Sequence, residues 1–89
     1  MARFELFFSD KARNDLHGMD SLLQELFVKH AEKLLSMPPR RHLKFGIPFN
    51  VEDVTKQARM VYETRGETLA VLRCFASHKD CEKWFKSFR

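Results

Sequence analysis

Arg73 is the one charge in an otherwise apolar stretch, Leu69-Ala70-Val71-Leu72-Arg73-Cys74-Phe75-Ala76. A guanidinium is costly to dehydrate unless it is satisfied, so Arg73 either bonds a buried acid or points into an anion site. His78 and Lys79 follow it. An imidazole titrating near about 6.5 can move a proton or act as a cation around neutral pH, and can equally be a solvated turn residue. Arg59 opens a run rich in β-formers. Its planar, permanently charged fork suits phosphate, or an acid such as Glu63. Cys74, His78 and Cys81 resemble zinc ligands, but they are only three and their spacing fits no standard structural site, so no metal is expected.

The net charge of +4 is unevenly spread. Residues 1–39 carry a net −1 and residues 40–89 a net +5. A basic second half fits a polyanion footprint, RNA and the ribosome included, though a mild +4 also serves plain solubility. With 89 residues, 44% hydrophobic and 31% charged, one domain spanning 1–89 is expected. No apolar run approaches the roughly 20 residues of a membrane span, and no targeting segment precedes the first strand-like pattern. A soluble, cytoplasmic protein is expected, with its two cysteines as free thiols.

These residues need elements to hold them. Arg3 to Phe8 alternates, with Phe4, Leu6 and Phe8 on one strand face. Ser9 is a plausible cap for a short helix with Ala12 and Leu16 inward, and Gly18 reads as its C′ residue. A second helix spans about 20–36, with an apolar stripe of Leu22, Leu23, Leu26, Phe27, His30 and Leu34. His30 on that stripe reads as a satisfied packing residue. Pro38-Pro39 ends the helix, and 42–49 is a kinked or edge segment. A short strand over 51–55 and a better one over 58–64 follow. Gly66 supplies a hairpin turn, 68–76 reads as a central strand covered on both faces, and Ser77 caps a last helix. The order β-α-α-β-β-β-α predicts an α+β domain in which a helical hairpin packs on a small antiparallel sheet.

That order resembles the RelE/ParE toxin superfamily of toxin–antitoxin pairs over nearly the whole chain. Phe4-Glu5-Leu6-Phe7-Phe8-Ser9-Asp10-Lys11-Ala12 resembles the family's first strand, polar cap and helix. Leu43-Lys44-Phe45-Gly46-Ile47-Pro48 is similar to its connector, and Ala58-Arg59-Met60-Val61-Tyr62 to its central strand. Val71-Leu72-Arg73-Cys74-Phe75-Ala76-Ser77-His78-Lys79 resembles its last strand and the basic turn beyond it. The RelE branch cuts messenger RNA in the ribosomal decoding site without metal or small-molecule cofactor. The ParE branch acts on DNA gyrase.

The resemblance to the RelE branch implies a ribosome-dependent messenger RNA endonuclease restrained by an acidic, partly disordered antitoxin that folds on it. A non-catalytic gyrase inhibitor, or an inactive toxin-fold binding protein, is the alternative. Cutting RNA needs a base for the 2′-OH, cations for the phosphorane and an acid for the leaving oxygen. Arg59, Arg73, His78 and Lys79 are the candidates, with Glu52 as a carboxylate base. Lys44 and Lys56 are candidates for the RNA backbone and Trp84 for base stacking, although Trp84 also fits a core stripe with Cys81, Phe85 and Phe88. Glu52 and Asp53 stand where RelE itself has two lysines, and Lys56 comes later.

Overall fold

A computed structural model describes residues 5–36 and 49–87. Phe4, Phe88 and the connector 43–48, Lys44 included, lie outside the described residues. The elements are β1 (Glu5–Phe8), α1 (Asp10–His17), α2 (Ser21–Leu35), β2 (Asn50–Asp53), β3 (Arg59–Arg65), β4 (Thr68–Phe75) and α3 (His78–Lys86). This is the expected α+β order. The strands lie in the order β1-β4-β3-β2.

The β2–β3 and β3–β4 pairs are antiparallel, as short connections require. The sheet nevertheless differs from the expected all-antiparallel one, because β1 runs parallel to β4. The chain leaves β1 through two helices rather than a tight turn, so nothing forces an antiparallel neighbour. At the β3–β4 turn, Gly66 has φ +57, the left-handed conformation that favours glycine. Gly18 differs from the expected left-handed cap: its φ is −84, and α1 closes by ordinary turn hydrogen bonds to Asp15 and Leu16.

β4 is central and covered on both faces. On one side, Met60, Tyr62, Leu69, Val71 and Cys74 pack with Ala12, Phe27 and Ala31 of the helical hairpin. On the other, Val51, Val61 and Phe75 pack with Cys81 and Phe85 of α3. The two cysteines therefore lie in different cores with the sheet between them. The α2 stripe is rotated from the expected one. Phe27 and Ala31 form the buried line, while Leu22 is 67% exposed and Leu26 lies near the surface. With Phe27 and Ala31 on the line of contact, the same helix face cannot also take in Leu22 and Leu26. Among the described residues, no helix is long and apolar enough to cross a membrane.

Candidate functional site

α1 lies along β4 where β1 has ended. Ser9 caps the helix, its Oγ accepting from Ala12 N at 3.1 Å and donating to Leu72 O at 2.9 Å. Farther along, Asp15 Oδ2 accepts from Cys74 N at 2.9 Å. The helix thus satisfies backbone groups on the strand edge that β1 leaves open. The pairing shifts between Val61 and Tyr62, so Val61 faces Arg73 while Tyr62 faces Val71.

Arg73 resolves its two alternatives in favour of an acid. Its Nε and Nη2 donate to Asp15 Oδ2 and Oδ1 at 2.8 and 3.0 Å. The guanidinium carbon also lies 4.8 Å from the centre of the Phe75 ring. The hydrogen bond to Asp15 raises the Arg73 pKa against the cost of partial burial, so its charge is permanent. Burial pushes the neighbouring Cys74 thiol up to about 12, with Asp15 adding to the rise and Arg73 opposing it.

Arg59 stands opposite Asp53 on β2 and opposite Phe75 on β4. Its Nη1 donates to the carbonyls of Thr55, Lys56 and Ala58 at 3.0, 3.1 and 3.0 Å, folding the side chain back over the loop that precedes it. Thr55 Oγ1 tightens the same loop by accepting from Gln57 N and Ala58 N. Arg59 Nε lies 3.0 Å from Asp53 Oδ1. The acid it meets is Asp53; Glu63 pairs instead with Arg65.

Lys56 is exposed on that loop. His78 and Lys79 are the first residues of α3, three and four positions beyond Phe75, with Lys79 N donating to Ser77 Oγ at 3.2 Å. His78 has a loose contact with Glu82, 3.9 Å away. Lys56, Arg59, His78 and Lys79 therefore share one end of the sheet. Trp84 lies on the same face but is half-buried in an aromatic group, with ring centres 5.7, 5.9 and 5.4 Å from Phe49, Phe75 and Phe85. Its geometry is that of a core residue.

Glu52 does not join this group. It pairs with Met60, whose side chain enters the helical-hairpin core, and Glu52 Oε1 lies 3.2 Å from His30 Nε2 on α2. His30 is thus satisfied by a partner, as its position on the stripe suggested. Of the partners of the two strand arginines, Asp53 is marked in the sequence only as one of an acidic pair, and Asp15 is not marked at all. The requirement that a dehydrated arginine find an acid was the signal available for Asp15. Among the described residues no three His, Cys, Asp or Glu side chains converge as metal ligands.

Two solved structures share this architecture. A copper-bound point mutant of a toxin from Helicobacter pylori aligns with TM-score 0.56 and 22% identity, over 86% of this chain and 97% of that one. The conserved hypothetical protein HP0894 from the same organism aligns with TM-score 0.61 and 19% identity, over 85% and 96%. The chain shares its fold with these two proteins. No protein-family model and no curated protein matches the sequence.

Proposed function

We propose that this protein is the toxin of a toxin–antitoxin pair and acts as a ribosome-dependent messenger RNA endonuclease. The observation that carries this reading is the cluster of Lys56, Arg59, His78 and Lys79 at one end of the sheet, in a fold shared with a solved toxin. His78 is the proton-transfer group, since an imidazole is the side chain best able to take and return a proton around neutral pH. Lys79 and Arg59 hold the phosphate and offset its growing charge, and Lys56 carries the adjoining backbone. Arg73, neutralised by Asp15, supports the same cluster from β4 by fixing the strand beside it rather than by a free charge. Lys44 is a further candidate for the RNA backbone, whereas Trp84, packed in its aromatic group, and Glu52, whose carboxylate faces α2, stand outside the cluster. The partner is an acidic antitoxin that folds on the toxin in the cytoplasm, and neither metal nor cofactor is invoked.

A second reading, a non-catalytic gyrase inhibitor or inactive toxin-fold binder, has one observation in its favour. Both strand arginines already hold carboxylates, and the candidate carboxylate base faces away from them. Controlled expression followed by primer extension separates the two. Growth arrest with discrete cuts inside translated codons supports the nuclease, whereas arrest with intact messages and DNA-damage signalling supports the second reading.

A further inference from the structure

The two ends of the Arg59 guanidinium are held very differently. Nη1 is anchored on three backbone carbonyls of its own loop. Nε meets a single carboxylate oxygen, from an Asp53 whose side chain is 63% exposed, against 18% for Arg59. Among the described residues Nη2 has no partner. The edge formed by Nε and Nη2 is one that an oxyanion can grip with two parallel hydrogen bonds, and Asp53 lies only against its Nε side, as an ion pair. An ion pair whose carboxylate is exposed and whose contact is one-sided is weak, so this contact can be exchanged while the anchored side of the guanidinium stays in place.

We propose that Asp53 is a built-in competitor for phosphate, occupying the Arg59 edge in the free protein and giving way when a phosphodiester of single-stranded RNA binds there. A phosphate offers two oxygens to Nε and Nη2 and can receive Lys56 from the same loop. The displaced carboxylate keeps its charge close to the phosphate, so Asp53 opposes binding both before and after exchange. It sets a threshold that a weakly bound anion, unable to grip both Nε and Nη2, does not pass. This assignment rests on the RNA-directed reading of the same cluster and adds to it a residue that restrains binding.

The test is a titration of isotope-labelled protein, observed at the Arg59 Nε–H signal, with inorganic phosphate and in parallel with a short single-stranded RNA. Wild type is compared with Asp53→Asn, with Glu67→Gln at the opposite end of the hairpin as a control for net charge. Asp53→Asn is expected to tighten binding of both probes by about two- to fivefold, the range spanned by one exposed ion pair. Glu67→Gln is expected to change it by less than half as much, and adding Arg59→Gln is expected to abolish the Asp53→Asn gain. Equal or weaker binding by folded Asp53→Asn, or an Arg59 signal indifferent to phosphate in both proteins, overturns the competitor. A response to phosphate that Asp53→Asn strengthens, without RNA binding in either protein, keeps the competitor and removes the RNA reading.

Discussion

Asp15 and Arg73 are 58 residues apart in sequence and meet through two hydrogen bonds of 2.8 and 3.0 Å, while the same carboxylate holds the backbone N–H of Cys74. One side chain on α1 therefore neutralises the only charge in the central strand and closes that strand's open edge. Removing it leaves an unpaired, partly buried guanidinium and an unsatisfied N–H, which is costlier than losing a surface ion pair.

Asp15→Ala is expected to destabilise the protein by about 2–4 kcal/mol in urea unfolding. Arg73→Ala should cost a similar amount, and the double variant less than the two together, because the second change removes the group that the first leaves stranded. Additive losses would show that the two side chains act separately. Loss of toxicity in Arg73→Ala must accordingly be read beside its folded fraction.

The two described glycines should respond in opposite directions. At Gly18, φ is −84 and an added Cβ would meet only Asp15 O, at an ordinary 3.6 Å. Gly18→Ala is expected to raise stability by about 0.5 kcal/mol by restricting the unfolded chain. Gly66 has open space around it but a φ of +57, so Gly66→Ala should cost about 1–2 kcal/mol through its backbone alone. Thermal melts of the two variants check both signs.

How far the sequence reached is clear from these residues. A hairpin between two β-rich runs demands a positive φ, so Gly66 was legible; a helix end accepts several closures, so Gly18 was not. Alternation and apolar runs located the strands, because burial of one or both faces leaves a direct trace. The parallel pairing of β1 with β4 left none, since register depends on which edge is vacant after the helices have packed. At the candidate site, residue type announced that Arg59 and Arg73 needed anions. It did not announce that Asp53 and Asp15 would supply them, or that strand alternation would turn Glu52 towards His30.

The Cys74 thiol, pushed up to about 12 by burial, should be inert in the folded protein. A pulse of iodoacetamide at about pH 8, just below the ordinary thiol range, is expected to leave Cys74 unmodified in native protein and to label it fully in urea, as read by peptide mass spectrometry. Between about pH 9 and 12 the unfolded chain releases a proton that the folded chain keeps, so this group makes stability fall as pH rises through that window. Cys74→Ala should flatten that alkaline decline. An equally steep decline in the variant would assign it to other groups.

Glu52 and His78 give the sharpest functional contrast. Glu52 faces α2, so Glu52→Gln is expected to leave growth arrest within about twofold of wild type and to change stability by no more than about 1 kcal/mol. His78→Ala should slow cleavage by about a hundredfold or more, the usual contribution of a general acid or base, with little change in melting temperature. Dose–response curves of expression against growth, paired with melts, check both. A toxic His78→Ala beside a harmless Glu52→Gln would return the carboxylate to the centre of the mechanism.

The most direct measurement of the central claim adds the purified protein to ribosomes programmed with a short message and maps the message ends. A cut within the codon in the decoding site, absent without ribosomes and lost with His78→Ala, is the predicted result. An intact message on programmed ribosomes, from folded protein that still arrests growth in cells, would contradict the nuclease and leave a binding toxin of the same fold.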